Sequence, residues 1–276
     1  MLPGVGHITA RKILQASGSS TEFFNELKKG SFKEFKQRWL RDHSVKETFI
    51  QAEREIENLR KHNITCLTLT DADYPRRLNA CEDGPIVLYS RGEMDLNAPR
   101  FVALVGTRKA TPYGIRATEE LVEQLKAHNC TLISGLAYGI DTAAHRAARE
   151  TGIQNIAALA HGLDRVYPSA NKNLARSMEK LGGLVSDFPT GTKPDRVNFP
   201  IRNRIIAGLA DAVVVVEAAA SGGALITADI ATSYHRDVFA VPGRVNDDYS
   251  NGCNLLIRNN RAAILTAAKD LSLIHI

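Results

Sequence analysis

Several signatures are missing from this sequence, and each absence removes a class of function. Its four cysteines, Cys66, Cys81, Cys130 and Cys253, lie far apart, with no CxxC spacing and no Cys/His cluster. Neither a zinc or other metal site nor a disulfide framework is therefore expected. Reduced thiols fit a cytoplasmic protein. No apolar run approaches the ~20 residues that a membrane helix needs, and no basic-then-apolar leader opens the chain. Repeats and low-complexity tracts are absent. Gly106, which follows the first long strand candidate, leads to Gly114 and not into GxGxxG, and there is no GxxxxGK[ST] loop. A dinucleotide fingerprint and a triphosphate cradle are both lacking, and no cofactor is expected. Excess charge is scarce as well: 35 Lys and Arg face 30 Asp and Glu, a net charge of +5. So small an excess suits a polyanionic partner only if the cations cluster locally.

What is present is ordinary globular material, 276 residues with 44% hydrophobic and 24% charged residues. That is enough for one large domain and a small one. Residues 1–63 are rich in helix formers, and over 47–61 Phe49, Ile50, Ile56 and Leu59 recur at helical spacing. This part reads as a small helical domain. From Ile64 the texture changes to short strands at 66–69 and 85–89. Further strand candidates follow at 101–105, 131–134, 156–160, 183–186, 212–216 and 238–241, with helices expected at 112–128, 141–151, 171–181, 199–210 and 224–235. Such alternation predicts an α/β domain over 64–271, a mostly parallel Rossmann-like sheet with helices on both faces. Val213 to Val216 shows no polar alternation and should be a central strand. The last residues, 272–276, read as a tail or truncation scar, and the opening Met1-Leu2-Pro3-Gly4 as a clipped start.

Ligands of open α/β sheets bind at the carboxyl ends of the strands, where strand order reverses. Nearly every strand candidate here ends in Gly, hydroxyl or charged residues: Gly106-Thr107-Arg108-Lys109 after the first, Gly135 to Asp141 after the second, and Ser221-Gly222-Gly223 after the fifth. Backbone N–H groups at such turns favour anions. Lys109, Arg165, Lys172, Lys193, Arg196, Arg202 and Arg204 are placed on the same edge, which makes an anion-binding surface. The stretch from Arg196 to Ile206 joins dense arginine to Phe199 and Asn203, a combination suited to phosphate contact with base stacking on a single strand. Phe199 has two readings that the sequence leaves open, a stacking platform or a core residue at the sheet edge.

Three other polar groups invite a catalytic role. Asp141 and His145 stand four apart on one helix, with Asp141 expected at its N-cap. His161 reads as a loop histidine whose hydrogen bonds are met locally. Glu217, ending the buried strand, is the best isolated candidate for a catalytic carboxylate, but no partner for it is evident. The chain is expected not to be an enzyme.

These motifs, taken in order, resemble the DprA/Smf family. They are Val105 to Arg108, Ser134 to Asp141 with His145, Tyr167-Pro168 with Asn171, Phe199 to Leu209, Ser221 to Ala228, Val241-Pro242-Gly243 and Gly252-Cys253-Asn254. The resemblance covers about 64–271. It implies a homodimeric, cytoplasmic protein that binds single-stranded DNA, protects incoming DNA and helps load the RecA recombinase during natural transformation. The family's DNA pocket, carried over by position, implies Gly106, Thr107, Arg108, Lys172, Arg196, Phe199, Arg202 and Asn203, with Ser221, Gly222 and Gly223. The family commonly has serine where Thr107 stands, which keeps a hydroxyl. Leu2-Pro3-Gly4-Val5-Gly6 followed by Ala10 and Ile13-Leu14 is similar to part of a helix-hairpin-helix element, which serves either DNA or protein contact. The alternative to a binding protein is a nucleoside-monophosphate phosphoribohydrolase-like enzyme of the same superfamily. Ser221-Gly222-Gly223-Ala224 lacks the PGGxGT loop and trailing glutamate of those enzymes.

Overall fold

The computed structural model describes residues 5–29 and 45–274. Met1 to Gly4, the start of the helix-hairpin-helix reading, and the end of the proposed tail at residues 275–276 lie outside the described residues. Among the described residues three helices come first, α1 (His7–Ser17), α2 (Ser20–Lys29) and α3 (Val45–Lys61). The antiparallel strands β1 (Thr65–Thr68) and β2 (Val87–Arg91) follow, separated by the single-turn α4 (Arg76–Asn79). The alternating part then runs β3 (Phe101–Val105), α5 (Pro112–Leu125), β4 (Thr131–Ser134), α6 (Ile140–Thr151), β5 (Asn155–Ala158), α7 (Lys172–Met178), β6 (Gly182–Ser186), α8 (Asn198–Leu209), β7 (Ala212–Val215), α9 (Gly223–Ser233) and β8 (Asp237–Ala240). Beyond the expected elements the structure adds α10 (Asn251–Arg258) and a two-residue edge strand, β9 (Ala263–Ile264).

The nine strands among the described residues join one sheet in the order β1-β2-β6-β5-β4-β3-β7-β8-β9. Pairing is parallel from β6 through β9, and antiparallel at β1–β2 and β2–β6. Chain order runs outward on one side of β3 and resumes at β7 on the other. The carboxyl ends of β3 and β7 therefore form the switch point where open α/β sheets bind ligands.

The sheet divides two cores, and the two-residue period of a strand decides which side chain enters each. Phe101, Ala103, Val105, Val213 and Val215 pack toward α8 and α9, with Ile205, Ile206, Ala224, Ala228 and Ala231. Val102, Leu104, Ala212, Val214 and Val216 pack toward α5 and α6, with Leu121, Val122, Leu125, Ile140 and Ala144. The valine run is buried on both faces, as its lack of alternation requires.

Polar contacts help to fasten the helices before the sheet to it. The buried guanidinium of Arg11 on α1 donates to Gly84 O (3.1 Å), Asn79 O (3.0 Å) and Leu78 O (3.1 Å). Two of those carbonyls belong to the end of α4, where the helix leaves them without intrahelical partners. The expected apolar stripe on α3 is not a buried face: Leu59 joins the core near α7, but Phe49, Ile50 and Ile56 are exposed. Phe49 instead meets Phe24 of α2, with ring centroids 5.1 Å apart. The N-terminal part of α3 stands off the sheet, so helical spacing there does not mark a contact with it.

Candidate functional site

At the switch point lies a cleft of about 480 Å³. Its walls are the turn after β3 (Gly106, Thr107, Arg108, Lys109), the first turns of α8 (Phe199, Arg202, Asn203) and α9 (Gly222, Gly223, Thr227), and Tyr249. The turn is built by exchange between neighbouring strand ends. Thr107 N–H donates to Glu217 O (2.7 Å) and Ile140 N–H donates to Thr107 O (3.2 Å). Gly139, which precedes α6, has φ +76° and lies so close to Thr107 O and Arg108 that a Cβ would collide with their backbone. Only glycine meets both demands.

Two helix N-termini open on the cleft. Neither α8 nor α9 has a side-chain cap at its start. Asn198 N–H donates to Asp195 O (3.1 Å), Leu225 N–H donates to Gly222 O (3.1 Å) and Pro200 has no N–H, so the first-turn N–H groups left over are those that favour an anion. At the rim stand Arg108 and Lys109, both exposed and neither in an ion pair with a described residue. The Arg108 guanidinium lies over the Phe199 ring, 4.8 Å from its centroid. The Tyr167 ring approaches the same side chain at 6.2 Å, tilted by 54°. Phe199 is half-buried: it belongs to the cleft wall and not to either sheet core.

Arg202 is a deep wall residue, 4% exposed. Its Nη1 donates to Gly135 O (2.7 Å) and Ala158 O (2.6 Å), and its Nε donates to Asn203 Oδ1 (3.2 Å). Burial lowers its pKa to about 10, against the pull of Asp141 and together with the repulsion of Arg108, so it stays cationic at neutral pH. Two of these donations tie it to the ends of β4 and β5, and it lends the cleft positive potential from behind.

The structure separates the other sequence candidates. Gly106, Thr107, Arg108, Phe199, Arg202, Asn203, Gly222 and Gly223 converge on the cleft. Lys172, Arg196 and Ser221 are exposed but do not line it. Two arginines leave the proposed anion surface. Arg165 is paired with Asp164, Nη2 to Oδ2 at 2.7 Å. Arg204 is buried and bound to Asp187 and to Asp83 O, on the side of α8 away from the cleft. Their charges are spent within the fold.

The polar groups considered for catalysis are also engaged. Asp141 is not the N-cap of α6, a place taken by Gly139. It accepts from the N–H groups of Gly135 (3.2 Å) and Ala137 (3.3 Å), which folds the preceding loop. Burial raises its pKa, opposed by Arg202 and these N–H donors. His145 is fully buried, with Nδ1 2.6 Å from Asn155 Oδ1 and Nε2 accepting from Leu136 N–H (3.3 Å). Burial lowers its pKa to about 4, so it is neutral at pH 7. His161 accepts from Tyr167 N–H at 3.2 Å and lies 2.9 Å from Gly162 O, the local satisfaction read from the sequence. Glu217 receives Thr111 N–H (2.9 Å) and the Thr111 hydroxyl (2.6 Å), and so orients the N-cap of α5.

Tyr167 and Tyr249 were not singled out as site residues from the sequence. Tyr167 had a local signal, an aromatic in a strand-end loop. Tyr249 had none: its segment reaches the cleft because Ala218 N–H donates to Tyr249 O (2.7 Å) and Gly252 N–H to Ala218 O (2.8 Å). Tyr138, exposed in the loop after β4, adds a further aromatic near this edge.

Phe199 gives a separable test. Loss of one base-stacking contact costs about 1–3 kcal/mol of DNA affinity, whereas removing a core phenylalanine costs about 3–5 kcal/mol of stability. Under the stacking reading, Phe199→Ala should lower single-stranded DNA affinity with a small change in Tm, and Phe199→Trp should retain binding. A variant that melts far earlier but binds normally while folded would return Phe199 to the core.

The model of the family described as DNA recombination-mediator protein A matches residues 65–274. Protein Smf of Synechocystis is 41% identical over 215 residues, covering 76% of this chain and 54% of that protein. The chain thus spans about half the length of that relative. The crystal structure of DNA processing protein A from Streptococcus pneumoniae superposes with a TM-score of 0.75 at 32% identity, over 98% of each chain. DNA processing protein A from Helicobacter pylori, in a structure addressing its single-stranded DNA binding mode, matches with a TM-score of 0.68 at 27% identity, over 75% of this chain and 93% of that one.

Proposed function

This chain belongs to the DNA recombination-mediator protein A family, and on that premise we propose that its switch-point cleft binds single-stranded DNA without sequence preference. The observation that carries the reading is the pairing of Arg108 and Lys109, cations without an ion pair among the described residues, with the half-buried Phe199 ring between two helix N-termini that lack a side-chain cap. Phosphate oxygens take the N–H groups and the guanidinium, and an unstacked base takes the aromatic face. Lys172, Lys193 and Arg196 extend the positive surface beyond the cleft, along the path of a longer strand.

The further roles proposed are those of a recombination mediator in natural transformation: a cytoplasmic homodimer that protects incoming single strands and helps load RecA. No catalytic step is assigned. The buried carboxylates nearest the cleft, Glu217 and Asp141, are taken up by Thr111 and by loop N–H groups. No helix among the described residues is long and apolar enough to cross a membrane.

Anisotropy titrations with single- and double-stranded oligonucleotides across a salt series test the reading. Each phosphate contact on a single strand contributes about −0.7 to the log–log salt slope. Binding should favour the single strand and weaken steeply with salt. Affinity indifferent to salt, or stronger for duplex, would reject the proposal.

A further inference from the structure

The loop from Asp187 to Val197 joins β6 to α8, carries the exposed Lys193 and Arg196, and delivers Phe199 to the cleft. It is held from outside by two carboxylates. Glu55, on α3, accepts Thr190 N–H at Oε1 (2.8 Å) and the Thr190 hydroxyl at Oε2 (2.6 Å). Asp164, in the loop after β5, accepts Gly191 N–H (2.9 Å). Burial would raise the Asp164 pKa, but the Arg165 guanidinium and this N–H hold it below the ordinary value.

From Thr190 the bonding runs on toward the cleft. Thr192 N–H donates to Pro189 O (3.3 Å), and Thr192 O accepts from Gly162 N–H (3.2 Å). Asn198, the first residue of α8, donates its Nδ2 to Lys193 O (3.4 Å) and Ala160 O (3.3 Å), and its N–H to Asp195 O (3.1 Å). Hydrogen bonds thus connect a carboxylate on an N-terminal helix to the helix turn that presents Phe199. Both oxygens of Glu55 are spent on one residue, fixing its backbone and side chain together. The rest of α3 engages the sheet domain lightly, with Leu59 buried but Phe49, Ile50 and Ile56 exposed.

We infer that Glu55 is a positioning residue for DNA binding. It sets the loop bearing Lys193 and Arg196 against the strand path, so the helical N-terminal segment controls affinity without contacting DNA. This rests on the single-stranded DNA reading of the cleft. A carboxylate repels phosphate, so loss of Glu55 acting only through bulk charge would strengthen binding; positioning predicts the opposite sign.

The test uses the full chain, with melting curves run beside single-stranded DNA titrations in a salt series. Glu55→Ala should weaken binding about three- to ten-fold, the scale of one net hydrogen bond. It should also shrink the salt slope by about 0.7, the share of one single-strand phosphate contact. Glu55→Gln retains an acceptor for Thr190 and should restore most of the affinity. In a background of Lys193→Ala with Arg196→Ala, Glu55→Ala should add little, because the cations through which it acts are gone. If Glu55→Ala proves too unstable, Thr190→Val removes the hydroxyl alone and should give a smaller loss of the same sign. Unchanged or tighter binding by these variants, with Arg108→Ala impaired, overturns the role of Glu55 and spares the cleft. The same loss in the double-alanine background, with an unchanged slope, assigns Glu55 to general stability and overturns it too. Wild-type protein that does not bind, or Arg108→Ala that binds normally, removes the DNA reading and this inference with it.

Discussion

Arg108→Ala is expected to weaken single-stranded DNA binding by about 1.5–3 kcal/mol, the scale of a charge-assisted hydrogen bond. At about 1.4 kcal/mol per tenfold, that is roughly a 10- to 150-fold rise in Kd. Arg108 is exposed at the end of β3 and forms no ion pair with a described residue, so its removal leaves no buried partner behind. Tm should therefore barely move. Its stacking on Phe199, at 4.8 Å from the ring centroid, holds the guanidinium over the cleft before DNA arrives and lowers the ordering cost of binding. A lysine keeps the charge but not the flat stacking geometry, so Arg108→Lys should recover only part of the loss. Anisotropy with a labelled oligonucleotide reads both variants. A folded Arg108→Ala protein with wild-type affinity would make the arginine an ordinary surface residue.

Arg204→Met should do the reverse. Arg204 and Asp187 form a buried ion pair in which Arg204 Nε and Asp187 Oδ1 have no further partner. Burial raises the Asp187 pKa and Arg204 pulls it back down. Removing the arginine leaves the buried carboxylate with only His7 Nε2, 3.7 Å from Asp187 Oδ2, as a neighbouring partner, a change worth up to about 3–5 kcal/mol of stability. The urea midpoint should fall sharply, while the folded fraction keeps its DNA affinity. Adding Asp187→Asn removes the stranded charge and should recover part of the stability. If Arg204→Met melts normally and loses DNA binding, the arginine belongs to the interface after all.

Within one helix the same divergence separates Arg202 from Arg204, which share a motif and a charge. At about 100° per residue, positions i and i+2 lie on opposite sides of a helix. Arg202 consequently faces the ends of β4 and β5, and Arg204 faces Asp187 and Asp83. Arg165 likewise reads as a free cation in the chain but is neutralised by the adjacent Asp164. The stripe on α3 shows the same limit in apolar form, since its spacing marks a helix without marking what covers it.

The sequence by itself determined the α/β class, the parallel core strands, the buried valine run of β7 and the turn after β3. Alternation and glycine placement are local properties, and short-range sterics and side-chain period act on neighbours in the chain. It also determined the family, through ordered motifs spanning most of the domain. Only the tertiary structure decided which cations remain free of ion pairs among the described residues, that Phe199 lies under Arg108, that Tyr249 lines the cleft and that Glu55 binds Thr190. Each of those depends on a partner far away in sequence. Charge, burial and hydrogen bonding become definite only when strand order brings the ends of β3 and β7 together and the loops behind them have spent their donors and acceptors on one another.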